Sequence, residues 1–243
     1  MRTTAVLGGA GGIGRAIVEA LLKTGNFVFL LDLEEAEGRV TDLLERWPER
    51  CRFVACDMAD AGSIARAFAR IEAYGEGLDA CINAAGLIRR GRFVDVSPAD
   101  LEAVMAVNVT GAYRALQAAT RLMIDERGGR LVIVASAHGL RTTAERSAYA
   151  MSKGAMLALA RALAVELGPQ GILVNAVAPG PVSAGMQDAR SESRRLWAAA
   201  TPLGRVAEAV EVARTAVFLA SAENTFITGE TVVIDGGASI SMG

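Results

Sequence analysis

Seven short runs that read as buried β-strands alternate with helical stretches along this 243-residue chain, and no other feature constrains its fold so tightly. The runs are Thr3 to Leu7, Phe27 to Leu31, Arg52 to Cys56, Leu78 to Ile82, Arg130 to Ala135, Leu173 to Val177 and Thr231 to Ile234. Several are continuously apolar, as in Leu131-Val132-Ile133-Val134, and a strand of that kind is covered on both faces. Strands separated by whole helices cannot close as hairpins, so they pair in parallel with helices above and below. The expected class is therefore α/β, a doubly wound parallel sheet of about seven strands. No Pro-, Ser- or charge-rich linker divides the chain, and 52% hydrophobic content supports one large core, so 1–243 reads as a single domain. Ligands of such sheets bind beyond the strands' carboxyl ends, where Asp32, Asp57, Asn83, Ser136 and Pro179 all stand.

The first run passes directly into Gly8-Gly9-Ala10-Gly11-Gly12-Ile13-Gly14 and then into a helical pattern through Ile17, Leu21 and Leu22. Small residues let a backbone approach a pyrophosphate, and the helix N-terminus offers free N–H groups and a positive dipole end. Two registers are open: Gly9, Gly11 and Gly14 fit GxGxxG, while Gly8, Gly12 and Gly14 fit GxxxGxG. Asp32, eighteen positions after Gly14, can accept hydrogen bonds from adenosine ribose hydroxyls and would repel a 2′-phosphate; the competing reading makes it a helix cap ahead of Glu34 and Glu35. The expectation is a Rossmann-type dinucleotide site that takes NAD.

Charge and composition exclude other classes. With 25 basic and 27 acidic residues, net −2, there is no electrostatic footprint for nucleic acid. No apolar run is long enough to span a membrane, and Met1-Arg2 leads straight into the first strand without a signal-peptide core, so a cytoplasmic location is expected. Cys51, Cys56 and Cys81 lack CxxC spacing, and the chain has one histidine, so the thiols read as reduced core residues and no metal site is expected.

Tyr149-Ala-Met-Ser-Lys153 spaces a phenol and an ammonium four apart, on one face of a helix. A nearby cation favours the phenolate, which suits the tyrosine to exchange a proton with an alcohol oxygen near neutral pH. Taken with the glycine turn and with Asn83-Ala84-Ala85-Gly86, Asn108, Ser136 thirteen residues before Tyr149, and Pro179-Gly180-Pro181-Val182, the whole chain resembles the short-chain dehydrogenase/reductase family. That resemblance selects the Gly8, Gly12, Gly14 register. It implies Tyr149 as proton donor or acceptor, Ser136 polarising the substrate oxygen, and Lys153 holding the nicotinamide ribose and acidifying Tyr149. Asn108 would support a water-linked proton path. The cofactor-binding set it implies is Gly8, Gly11, Gly12, Ile13, Gly14, Asp32, Leu33, Asp57, Met58, Asn83, Ala84, Ala85, Gly86, Tyr149, Lys153, Pro179, Gly180 and Val182, with Asp57 near the adenine. It also implies a homotetramer built partly through the helices around Asn108 and Tyr149.

Two positions depart from the family pattern: Leu7 stands where a threonine precedes the first glycine, and Ala184 where a threonine often contacts the nicotinamide carboxamide. The expected substrate is a small alcohol or ketone, in pocket walls drawn from 138–148 and 183–205. His138 is expected at the pocket mouth. Arg89, Arg90 and Arg92 follow Gly86, and Arg141 and Arg146 lie between Ser136 and Tyr149; Arg89, Arg90 and Arg92, together with Arg141, are the candidate contacts for an anionic substrate or an acidic acyl carrier, with Arg89 and Arg141 foremost, set against a solvated-surface reading. The expected function is NAD(H)-dependent interconversion of a secondary alcohol and a carbonyl. The rivals are a 3-oxoacyl-thioester reductase, acting on acyl carrier protein or CoA, and a non-catalytic relative of the same fold.

Overall fold

Alternate residues of the first strand, β1 (Thr3–Leu7), face opposite sides of the sheet, and none of the five is exposed. Ala5 and Leu7 join one apolar cluster and Val6 the other, because strand side chains alternate across the sheet. In β2 (Phe27–Asp32) the same division holds: Phe27, Phe29 and Leu31 on one side, Val28 and Leu30 on the other. The remaining strands are β3 (Cys51–Ala55), β4 (Ala80–Asn83), β5 (Gly129–Val134), β6 (Ile172–Pro179), the two-residue β7 (Val182–Ser183) and β8 (Ala207–Glu208), and β9 (Thr231–Ile234). This computed structural model describes residues 1–75, 77–124, 128–183 and 192–241.

Seven strands form one wholly parallel sheet in the order β3-β2-β1-β4-β5-β6-β9. The chain moves outward from β1 to β3, then returns to lay β4 on the other side of β1, so the strand order reverses between β1 and β4. A cleft opens at such a reversal, at the carboxyl ends of the strands. One face is covered by α3 (Ala61–Ala73), α5 (Ala112–Ile124) and α6 (Ser147–Leu167), the other by α1 (Gly12–Lys23), α2 (Thr41–Arg46) and α8 (Ala209–Ala220). The α/β, Rossmann-like, single-domain architecture expected from the sequence is the one observed.

Three local expectations need correction. β4 begins at Ala80, not Leu78, and β6 runs on to Pro179. β7 and β8 pair in parallel as a separate two-stranded sheet, too short to be seen in a pattern of apolar runs. The helix expected around Asn108 is broken into α4 (Pro98–Met105), a π-helical turn over Ala106–Gly111, and α5. A Cβ on Gly111 would collide with the Met58 carbonyl oxygen, and Asn108 is tied sideways to the loop after β4, so this stretch is held by tertiary contacts. A π-turn accommodates the extra residue without ending the helix.

Candidate active site

Two cavities open along the carboxyl edge of the sheet. The first, about 260 Å³, lies over the β1/β4 reversal and is lined by Leu7, Gly8, Gly11, Asp32, Leu33, Asp57, Met58, Ala84, Ala85 and Gly86, among others. Gly8 has φ +71, and a Cβ there would sit 2.6 Å from the Ala85 nitrogen, so the turn and the loop after β4 can approach only because Gly8 has no side chain. A Cβ on Gly14 would collide with the Gly8 carbonyl oxygen, which fixes how α1 seats on the turn. The α1 N-terminus has no side-chain cap and no acidic residue in its first turn, which leaves its N–H groups for an anionic ligand.

Asp32 reaches back across the turn: its Oδ2 accepts from the Ala10 N–H at 2.9 Å and its Oδ1 from the Leu33 N–H at 2.9 Å. The lining includes the carboxylates of Asp32 and Asp57 and, among the described residues, no lysine or arginine. Arg15, the nearest basic residue on α1, is held by Asp42 through two hydrogen bonds of 3.0 and 2.6 Å. The donor set, the open helix end and the bare backbone of this cleft fit a dinucleotide.

Other residues of the expected cofactor set lie around this cavity without lining it. Gly12 is exposed at the start of α1, Gly14 is buried beneath the turn, and Ile13 packs on the core. Asn83 braces the loop by accepting from the Ala85 N–H at 3.2 Å. Pro179 closes β6, while Gly180 and Val182 line the second cavity.

Between the two cavities, α6 brings Tyr149 and Lys153 to one face, as their spacing requires. The Lys153 Nζ is buried, stands 5.7 Å from the centre of the Tyr149 ring and donates to the Val134 carbonyl at 3.0 Å. Burial without a carboxylate partner pushes its pKa down to about 8. The expected acidified phenol is not what the chain by itself provides. Burial raises the Tyr149 pKa above its usual value, opposed by a hydrogen bond with Ser136 and by the charge of Arg146. The lysine spends a donor on a backbone carbonyl, and the nearby charge of Arg146 favours the phenolate.

Ser136 is buried just beyond β5 and accepts from the His138 N–H at 3.1 Å, which leaves its hydroxyl facing Tyr149. Asn108, also buried, grips the loop after β4. Its Oδ1 accepts from the Leu87 N–H at 2.7 Å, and its Nδ2 donates to the Leu87 carbonyl at 2.8 Å and to the Ser152 hydroxyl at 3.0 Å. Ser152 in turn donates to the Tyr149 carbonyl at 2.7 Å, so the π-turn, the cofactor-side loop and the Tyr149 turn are locked together.

The second cavity, about 420 Å³, opens from Ser136 and Tyr149. His138 and Arg141 line it, as expected. Arg89 does not: it forms an exposed ion pair with Asp100 at 3.2 Å, and Arg92 pairs with Asp95 at 3.1 Å. Adjacent side chains of an extended loop point in different directions, and it is Arg90 that turns inward, joined by Arg146 one helical turn before Tyr149. Trp197, Val206, Asp235 and Ser239 complete the wall from α7 (Glu192–Ala199) and the segments beside β8 and β9. Trp197 falls within the wall segment 183–205 expected from the sequence, whereas Val206, Asp235 and Ser239 were not among the candidate residues. For Asp235 the sequence signal was its position just beyond a strand end. Leu7 is fully buried, so the missing threonine hydroxyl is replaced by core packing. Ala184 lies outside the described residues.

A doubly wound sheet with a glycine turn at the strand reversal and, at its carboxyl edge, buried Ser, Lys and Asn side chains around a half-buried Tyr defines a nucleotide-dependent oxidoreductase class. The chain belongs to the short-chain dehydrogenase/reductase family. A family described as "Enoyl-(Acyl carrier protein) reductase" matches residues 8–239. "Oxidoreductase UcpA" of Salmonella typhimurium is 33% identical, over 98% of this chain and 95% of its own length. The "3-oxoacyl-[acyl-carrier-protein] reductase" of Homo sapiens is 34% identical, over 98% of each. Among solved structures, a gluconate 5-dehydrogenase from Burkholderia cenocepacia, in complex with NADP and tartrate, superposes with a TM-score of 0.92 at 27% identity, covering 99% of this chain and 96% of its own.

Proposed function

We propose that this protein interconverts a secondary alcohol and a carbonyl, with NAD(H) as the preferred partner and Tyr149 as the general acid and base. The observation that carries the reading is the convergence of the Ser136 hydroxyl and the Tyr149 phenol at the junction of the two cavities, with a buried ammonium behind them. Reduction of a carbonyl builds negative charge on its oxygen, and two hydroxyls aimed at that oxygen stabilise it as it forms. Tyr149 donates its proton to the new alkoxide, and in the reverse direction accepts it from the alcohol. The raised phenol pKa suits donation, and Ser136 and Arg146 counter it when the proton must be taken up. Asn108 is a positioning residue, holding the loop at Leu87 and the turn that carries Tyr149. A nicotinamide dinucleotide bound in the first cavity supplies or takes up the hydride.

The preference for NAD(H) rests on Asp32 and on a lining with two carboxylates and no described cation to meet a 2′-phosphate. The NADP in the gluconate 5-dehydrogenase structure makes this the sharpest point to test. The 3-oxoacyl-thioester reading keeps its place through the human relative of that name, whose oxoacyl group would use the same two hydroxyls. The reading also includes a homotetramer, supported by the exposed Tyr113, Met151 and Val165 on α5 and α6, and a reducing cytoplasm, supported by three buried free thiols. No described helix is long and apolar enough to cross a membrane. The deciding experiment follows NADH and NADPH oxidation over a panel of ketones, oxo acids and 3-oxoacyl thioesters. Turnover that is faster with NADH is the expected result, and no turnover with either cofactor across the panel overturns the reading.

A further inference from the structure

We propose that the second cavity is built for a substrate that carries a carboxylate, a hydroxy acid and its oxo acid, with the reacting carbon at Ser136 and Tyr149 and the carboxylate held by Arg146 and Arg90. This rests on the alcohol–carbonyl reading and names its substrate class.

The Arg146 guanidinium lies in the cavity wall. Its Nη1 donates to the Thr143 hydroxyl at 2.7 Å, while its Nε is buried and, among the described residues, has no hydrogen-bond partner. A buried unpaired donor on a cation is costly, so a donor retained there is matched to an acceptor that arrives with the ligand. Trp197 covers the guanidinium, 5.5 Å from its ring centre, and meets His138 edge-on at 6.3 Å, which holds the charged plane in place.

Arg90 lines the same wall, close enough that its charge lowers the Arg146 pKa. Two like charges facing one cavity repel each other, and an anion between them removes the repulsion. Among the described residues neither forms an ion pair, although the charge of Glu145 raises the Arg146 pKa. The Asp235 carboxylate is occupied by the Gly237 N–H at 2.9 Å and the Ser239 N–H at 2.7 Å, and Glu145, next to Arg146 in the chain, is exposed and does not line the cavity. His138 binds Thr142 at 3.1 Å, and burial with the charges of Arg146 and Arg90 lowers its pKa. The planar guanidinium of Arg146 can grip a carboxylate with parallel hydrogen bonds. A cavity of about 420 Å³ suits a compact metabolite.

In the oxidation the carbinol C–H bond breaks with its electron pair passing to the oxidised nicotinamide dinucleotide, the hydroxyl proton passes to Tyr149, and a C=O bond forms. The carboxylate is unchanged.

The test has two arms. In the binding arm, Trp47→Phe leaves Trp197 as the sole tryptophan, and glutarate and dimethyl glutarate, neither of which can react, are titrated against its fluorescence. Glutarate is expected to bind, more weakly as salt is added, and the ester at least about 10-fold less well. Arg90→Gln, on an exposed loop, and Arg146→Gln are each expected to weaken glutarate by at least about 10-fold, whereas Arg70→Gln on the far surface of α3 does not. Equal binding of acid and ester, or no loss in Arg90→Gln and Arg146→Gln, overturns the proposal. In the kinetic arm, kcat/KM is compared for hydroxy acids and their methyl esters, and the acid-to-ester ratio is expected to collapse in Arg90→Gln. Glutarate binding without turnover of any alcohol overturns the alcohol–carbonyl reading and leaves the anion site standing. An arginine dependence seen only with carrier-bound oxoacyl thioesters overturns the small-acid site in favour of carrier docking.

Discussion

The two cavities share an edge of the sheet but are made differently. The cofactor side is backbone: Gly8 against Ala85, Gly14 under Gly8, the open end of α1, and one carboxylate folded back onto the turn. The substrate side is side chain: three arginines, a histidine and a tryptophan brought together from four separate stretches. A backbone site tolerates almost no change of residue, because a single Cβ meets main-chain atoms that cannot move aside. A side-chain site can be rewritten without disturbing the sheet, so one framework can serve many substrates.

Substitutions where the two regions meet should cost most. Tyr149→Phe removes the phenol O–H and leaves the ring, so turnover should fall at least about 100-fold with NADH affinity nearly unchanged; near-normal turnover in the Phe variant would remove Tyr149 from proton transfer. On the cofactor side, Gly8→Ala should lower stability by at least about 2 kcal/mol, from the left-handed backbone and the clash with Ala85 together. Denaturant midpoints would measure this, and an unshifted midpoint would mean that the loop after β4 yields. Asp32→Ala should narrow the NAD-over-NADP ratio by about 10-fold, mainly through weaker NAD binding. Greater catalytic efficiency with NADP in the parent would break the contrast at its cofactor end.

Lys153 makes a pH prediction with a defined sign. Its folded pKa, about 8, lies below the ordinary lysine value of 10.5, so between those values the unfolded chain holds a proton that the folded chain lacks. Its contribution to stability therefore rises with pH through that window. Carbonyl reduction, which needs the ammonium, should show kcat/KM falling as pH rises through about 8. Lys153→Met should abolish both the fall and most of the activity while melting no lower than the parent. A clearly lower melting temperature would instead make the lysine structural. The smallest effect is expected at Arg89→Gln, since an exposed pair with Asp100 contributes roughly 0–1 kcal/mol and stands outside the cavity. A rise in KM as large as that from Arg90→Gln would erase the distinction between the two neighbours.

How well each part could be read follows the same division. The strands were legible because burial on both faces demands consecutive apolar residues, and the glycine turn because only glycine fits there. Asn108 was legible as a position but not as a brace, since the π-turn that aims it depends on Gly111 meeting Met58 from a distant loop. The lowered phenol expected from a neighbouring lysine was misjudged because helical spacing says nothing of burial. Desolvation raises the Tyr149 pKa, and the Lys153 ammonium donates to the Val134 carbonyl.

The sequence alone determined the order of strands and helices, the site of the dinucleotide cleft and the Ser136, Tyr149 and Lys153 set. These depend on local periodicity and on residues a few positions apart, whose geometry is dictated by the helix or strand they occupy. Tertiary structure alone decided which arginines line the second cavity, how far each ionisable group is buried, and what else walls that cavity. Those properties depend on groups distant in the chain meeting across the carboxyl edge of the sheet, and electrostatic energies there are set by distance and solvent access, which residue order does not specify.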